Sequence, residues 1–273
     1  MRRGGQGKAW YDAAMASAPR DDRVLYCGDG LRTGAASYLC GVLAHAGIPF
    51  DHVASADPFP EGALEGAGAV ILSDYPSRNF SPAQLDALCA AVHGGLGLLT
   101  IGGWESYVGR SAGYQRTKLA GLLPVVLSAE DDRRNTWRPC VVEPGPAHPH
   151  PITEGLPLDR DLPCVSGFNA FEARPGAAIV LEVGVYAASP AGGRAAFGPV
   201  TRHPLLVVGE AASGRIACYA GDVAPHWVGG LVDWGSPRIA AAADGSAPVE
   251  IGCCYARLFE RMARWACGRL DAQ

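Results

Sequence analysis

A chain of 273 residues, 48% apolar and only 18% charged, holds enough core material for one large domain or two small ones and too little charge for intrinsic disorder. With 23 Lys and Arg against 27 Asp and Glu the net charge is −4, so nothing draws the chain to phosphate backbones or anionic lipid, and neither nucleic acid nor a membrane is an expected partner. Its 9 cysteines lack framework spacing and fit packed thiols in a reducing cytoplasm; with no Cys-x-x-Cys pair and no Cys/His grouping at zinc spacing, neither a metal nor another cofactor is expected.

Residues 1–22 read as an irregular arm. Arg2 and Arg3 open it, but Tyr11, Asp12 and Ser17 interrupt the apolar run that a signal peptide needs. Residues 23–270 read as a single domain, and nowhere do they offer the roughly 18 uninterrupted apolar residues of a membrane-spanning helix. Residues 23–28 form a β-branched and aromatic strand ending in Gly28-Asp29-Gly30, and 33–47 a helix with apolar positions at 39, 42, 43 and 46. Short strands over 50–54 and 69–73 follow. Ser81 at the cap and Pro82 at the first helical position start a second helix, with Leu85, Leu88, Cys89 and Val92 as its buried stripe and Gly94-Gly95 as its stop. Residues 96–101, apolar on both faces, suit the middle of a parallel sheet. Beyond about residue 125, strands over 138–142, 179–183, 205–209 and 214–220 add antiparallel hairpins, with a turn at 209–214. Residues 253–270 close the chain as an amphipathic helix that buries Leu258, Met262, Trp265 and Ala266. The expected fold is α/β: a doubly wound, mostly parallel sheet with helices on both faces and additional antiparallel strands in the C-terminal half.

In an open parallel sheet ligands sit beyond the carboxyl ends of the strands, where helix N-termini and loop amides converge. That rule selects Gly28-Asp29-Gly30, residues 73–79, residues 102–106 and residues 221–227. Four segments at or near these loops, SDYPSRNF (73–80), GGWESYVG (102–109) continuing to LAGLLPV (119–125), HPITEGLP (150–157) and GRIACYAGDVAPHW (214–227), resemble the glutamine amidotransferase-like family of the class I glutamine amidotransferase superfamily. The resemblance implies a flavodoxin-like sheet over most of residues 23–268.

A glutaminase of that superfamily needs Gly-x-Cys-x-Gly on a sharp strand-to-helix turn, with a histidine oriented by a carboxylate. Here the turn reads Gly102-Gly103-Trp104-Glu105-Ser106, without a thiol, and Ser106 has no flanking glycines two residues away. Whether the chain is an enzyme is left open. Asp222 and His226, four apart, form the base half of a triad, or else Asp222 caps a helix while His226 packs beside Trp227. Glu105 serves as general acid or base if Trp104 and Tyr107 exclude water and raise its pKa, or it is a carboxylate favoured at a helix N-terminus. Beside Asp74 and Tyr75, Arg78 can grip a carboxylate or phosphate and Asn79 orient an amide; the alternatives are an Arg78–Asp74 pair and a turn closed by Asn79. Asp29 binds a hydroxyl or amine, or forms an Asx-turn or helix cap. Prolines around His148 and His150 throw their imidazoles apart, against a metal.

The first functional expectation is a protein without the nucleophilic cysteine that binds or hydrolyses a small polar molecule. Glu105, Asp222 and His226 would do the chemistry, with Asp29, Asp74, Tyr75, Arg78, Asn79, Gly102, Gly103, Trp104, Ser106 and Trp227 as the ligand-binding rim. The second is a non-catalytic homo-oligomeric scaffold, with Trp104, Trp227, Trp234, Tyr75 and Tyr107 anchoring subunit contacts. A third is kinship to the trehalose-utilisation type, by analogy pointing at a carbohydrate.

Overall fold

The computed structural model describes residues 23–270; the arm expected over 1–22 lies outside them. Its first half follows the strand-loop-helix rhythm of the sequence: β1 (Val24–Gly28), α1 (Ala36–His45), β2 (Phe50–Val53), β3 (Ala69–Ser73), α2 (Pro82–His93) and β4 (Gly97–Ile101). Every residue of β1, β3 and β4 is buried, as runs apolar on both faces require, whereas β2 exposes Asp51 and forms the sheet edge. Helix α2 starts where its grammar says: Ser81 Oγ accepts from the Gln84 amide at 3.2 Å, and Gln84 Oε1 accepts from the Ser81 amide at 2.8 Å. Only Leu88 and Val92 of its expected stripe are fully buried; Leu85 and Cys89 lie at the margin.

The second half comprises α3 (Leu119–Leu122), β5 (Val125–Val126), β6 (Arg133–Pro144), β7 (Cys164–Asn169), β8 (Glu172–Ala173), β9 (Ala178–Ala191), β10 (Arg194–Ala211), β11 (Gly214–Tyr219), α4 (Pro225–Val228), β12 (Arg238–Ala241), β13 (Val249–Gly252) and α5 (Cys253–Ala266). Among the described residues one nine-stranded sheet runs β2-β1-β3-β4-β11-β10-β9-β6-β7. Its pairings are parallel from β2 to β11 and antiparallel from β11 to β7, so the expectation of a mostly parallel sheet is corrected to an evenly mixed one. Strands β9 and β10 cause the difference. The sequence pattern found their apolar ends, near 179–183 and 205–209, but both run on through an Ala- and Gly-rich hairpin arm with exposed residues on both strands. The arm reverses at Gly192-Gly193, with φ of +56° and +76°, a left-handed pair that glycine adopts freely. Helix α5 buries Leu258, Met262, Trp265 and Ala266 against α1, β4 and β11. No described helix is long and apolar enough to cross a membrane.

Candidate functional site

Four adjacent strands, β1, β3, β4 and β11, point their carboxyl ends the same way, and the loops that leave them meet. Asp29 follows β1 with φ +54° and is buried; its carboxylate accepts from the Tyr26 hydroxyl, and its amide donates to Ser73 O at 3.0 Å. Asp74 follows β3 with φ +45°. Its amide donates to Ser106 Oγ at 2.9 Å, and its Oδ1 accepts from the Glu105 amide at 2.6 Å. Ser55 ties these two loops together, donating to Asp74 O at 2.7 Å and accepting from the Gly30 amide at 3.0 Å. Left-handed backbone at two non-glycine acids is the kind of local strain that a surrounding structure must hold in place. Beneath Asp74, Gly103 has φ +143°, and a Cβ there would stand 2.2 Å from Asp74 Oδ1.

Asp222 completes the group from β11. It is 1% exposed, and its Oδ1 accepts from the Val223 and Ala224 amides at 2.6 and 3.2 Å, while Pro225 opens α4. Its Oδ2 lies 3.5 Å from His226 Nε2 and has no hydrogen-bond partner. The three carboxyls hold protons more tightly than free aspartate. Burial raises Asp29 well above the ordinary range, helped by the Asp222 and Asp74 charges. Asp74 is pushed to about 7 by burial and by Asp222. Burial lifts Asp222 to about 6 against the pull of its two amide bonds. His226 is half exposed, and its ring centroid is 6.5 Å from that of Trp104, which stands 42% exposed with the Arg133 guanidinium 4.7 Å over its ring.

The remaining rim residues divide differently from expectation. Burial does push Glu105 upward, but hydrogen bonds from Arg78 and Ser111 and the nearby Arg78 and Arg110 charges outweigh it, so its pKa is lowered and not raised by the aromatic wall. Nor does it open a helix, because residues 103–112 run as bends and turns. Arg78 therefore pairs with Glu105, not Asp74. Glu105 and His226 flank Asp74, and among the described residues no hydrogen bond or ion pair joins them. Asn79 donates to Ser55 O at 2.8 Å. Tyr75 is buried and donates to Asp57 O at 2.9 Å, and Ser106 is buried and donates to Ile101 O. Gly102 lets the chain pass Ala220 O and Asn169. Trp227 packs on Gly167 and donates to Asn135 Oδ1 at 2.6 Å, and Trp234 donates to Asp161 O at 2.8 Å. Tyr75, Ser106 and Trp227 thus build the floor and do not line the rim. Trp227, Trp234, Tyr75 and Tyr107 are buried within the single chain, so of the five aromatics expected at a subunit contact only Trp104 is exposed.

Sequence reasoning missed the brace behind the loop. Asp132, wholly buried, accepts from the Gly109 amide at 2.8 Å, the Val108 amide at 3.3 Å and Asn169 Nδ2 at 3.0 Å, and Asn169 Oδ1 accepts from the Gly103 amide at 2.8 Å. Asp132 sits in the run Asp131-Asp132-Arg133, where nothing in the sequence distinguishes it from the exposed Asp131 beside it. His148 and His150 engage Thr153 Oγ1 and the Ile152 amide separately, and no three His, Cys, Asp or Glu side chains among the described residues are grouped to hold a metal ion. A groove of about 510 Å³ lies elsewhere, between α2, α3 and the β10–β11 turn. Its cations are already engaged, Lys118 with Asp86 and Arg174 with the Leu123 and Ala120 carbonyls.

Residues 51–238, more than half of the chain, match the family model described as "Putative glutamine amidotransferase". No curated protein matches the chain. Among solved structures, the cytoplasmic protein STM3548 from Salmonella typhimurium is 24% identical with a TM-score of 0.68, the match covering 89% of this chain and 98% of that one. The cytoplasmic protein STM1381 from Salmonella typhimurium LT2 is 26% identical with a TM-score of 0.61, covering 75% of this chain and 90% of that one. A "Putative thua-like protein" from Parabacteroides merdae ATCC 43184 is 14% identical with a TM-score of 0.55, covering 92% of each chain.

Proposed function

Because the chain belongs to this glutamine amidotransferase-like family, we propose that it binds or hydrolyses a small polar molecule at the crevice formed by Asp29, Asp74, Asp222 and His226, without a thiolate nucleophile. The observation that carries the reading is the convergence of three carboxyls and an imidazole on the ends of adjacent strands. His226 turns Nε2 toward Asp222, which leaves Nδ1 to take a proton from a bound hydroxyl or water while Asp222 orients the ring. Residues 102–106 carry no cysteine, and burial holds the thiols on the neighbouring strands protonated, Cys27 strongly and Cys218 up to about 12; both facts support chemistry without sulfur. The parallel strand order β2-β1-β3-β4-β11 supports a flavodoxin-like assignment, and unpaired cysteines together with two relatives described as cytoplasmic support a cytoplasmic address.

A thermal-shift screen of small polar molecules on the wild type, Glu105→Gln and His226→Ala tests it. A stabilising compound should lose its effect in His226→Ala and keep part of it in Glu105→Gln, whose native carboxylate is tied up by Arg78. Compounds that act equally on all three proteins would remove the crevice from consideration. The β9–β10 arm favours a second reading as an oligomeric scaffold, since Phe197 is 63% exposed near its tip and Trp137 on β6 is 83% exposed. Light scattering on the wild type and Phe197→Ser decides that reading: a multimer dissociated by the substitution supports it, and a monomer refutes it.

A further inference from the structure

The connection between β2 and β3 folds against the first turns of α2 and forms with them a groove of about 420 Å³ that shares no residue with the crevice. Phe59, buried, lies at its base, and Leu64, Ala83 and Ala87 add apolar surface. Two exposed glutamates, Glu61 and Glu65, stand in the same lining, and among the described residues neither enters an ion pair. Arg23 donates to the Glu65 carbonyl at 2.5 Å but gives its charge to Asp51. The backbone underneath is fixed, because the Phe59 amide donates to Asn79 O at 2.8 Å and Phe59 O accepts from Gln84 Nε2 at 2.8 Å. A preformed apolar groove with acid along one side fits an apolar segment that carries basic residues next to it.

The chain itself contains such a segment, and it enters the fold beside the groove. Residues 1–8 hold Arg2, Arg3 and Lys8 and no acid, and Trp10, Tyr11, Ala14, Met15 and Ala18 follow at the spacing of one helix face. The segment then leads into Arg23, whose guanidinium touches Glu65 in the groove wall. From this we infer that residues 1–22 dock in the groove of their own chain. The apolar side chains of residues 10–18 cover Phe59, Leu64, Ala83 and Ala87, and Arg2, Arg3 and Lys8 face Glu61 and Glu65.

Reach, size and charge all favour this groove. Five peptide links separate Ala18 from Arg23, at most about 17 Å of extended chain, so the groove wall lies within easy span of the apolar residues. A tether this short presents the segment at an effective concentration on the order of millimolar, at which even a weak contact is filled. A second cavity beside the start of β1, between Pro49 and Arg264, is only about 30 Å³ and is bordered by Arg264 and Arg269, so it suits a basic aromatic segment neither in size nor in charge. The inference stands apart from the crevice reading and does not need it.

The experiment uses the full chain with a benzophenone amino acid in place of Trp10. Irradiation and mass spectrometry locate the adduct, and the expected result is a link within one chain to residues 59–65 or 83–87, with a yield that does not change on dilution. Reversing the groove charges with Glu61→Lys and Glu65→Lys should lower that yield about fivefold or more, and adding Arg2→Glu, Arg3→Glu and Lys8→Glu should restore it. Hydrogen exchange gives a readout without the crosslinker: amides of residues 61–66 and of the first turns of α2 should exchange about tenfold faster in Trp10→Ser than in the wild type. A crosslinked dimer that vanishes on dilution would assign the groove to a second copy and overturn docking within the chain. An adduct elsewhere, or none, would overturn it as well, and so would groove amides whose protection is the same in Trp10→Ser. A reversal variant that crosslinks like the wild type would remove the charge pairing on which the choice of occupant rests.

Discussion

Replacing Asp222 by Asn should make the unliganded protein more stable at neutral pH. The buried Asp222 carboxyl is raised from 3.8 to about 6, so between those values the folded state keeps a proton that the unfolded chain has released. Stability from this group is fully present below pH 4 and is lost as pH climbs through 6. Two units at about 1.4 kcal/mol each put the loss at roughly 3 kcal/mol by pH 7 to 8. Asn has the same shape, and its Oδ1 still accepts from the Val223 and Ala224 amides, but its Nδ2 takes the place of the partnerless Oδ2 and is left as a buried donor, at a cost of about 1 kcal/mol. The net expectation is a variant about 2 kcal/mol more stable than wild type at pH 8 and equal or slightly weaker at pH 4. Urea denaturation at half-unit steps from pH 4 to 8 measures both. A gap between variant and wild type that stays constant over that range, or a variant weaker throughout, would show that Asp222 is a satisfied structural cap and not a carboxylate held at a cost.

Further expectations follow from single contacts. Asp132→Ala strands the Gly109 and Val108 amides and the Asn169 side chain without an acceptor, and should cost about 3 kcal/mol or more in urea denaturation; a loss under 1 kcal/mol would mean that solvent reaches the loop. Gly103→Ala forces a Cβ against Asp74 at a φ of +143°, so it should lose at least about 2 kcal/mol and any ligand-induced thermal shift together; a variant with wild-type stability would show that the two loops part easily. In the native protein a thiol reagent should modify the exposed Cys164 while Cys27 and Cys218 react only on unfolding. Equal native reactivity of Cys27, read by mass spectrometry, would contradict its burial.

The pieces that the sequence specified are those whose cause is local. The Ser81-Pro82 start of α2, the twofold-buried runs of β1, β3 and β4, and the inward face of α5 each depend on residues within a few positions of one another. The rule that ligands gather at the carboxyl ends of parallel strands selected four loops that the fold does bring together, with Asp29, Asp74, Asp222, His226 and Trp104 near one another at the strand ends. Within those loops residue type was not enough. Tyr75, Ser106 and Trp227 have the chemistry of a binding surface but face inward, because Asp57 O, Ile101 O and Asn135 supply their partners from distant parts of the chain.

Only the tertiary structure could assign Glu105, whose neighbour in sequence suggested a water-excluding wall but whose neighbour in space is Arg78, 27 residues away. The same holds for the Asp132–Asn169–Gly103 brace, which joins three loops through side chains that no periodicity marks, and for the β9–β10 arm, whose exposed Ala and Gly residues carry no apolar alternation. Local patterning fixes which segments become strands and helices, since hydrophobic burial and capping act over a few residues. The pairing of charges and hydrogen bonds across the chain fixes which polar groups are used up inside the fold and which, like Asp222 Oδ2, are left without a partner.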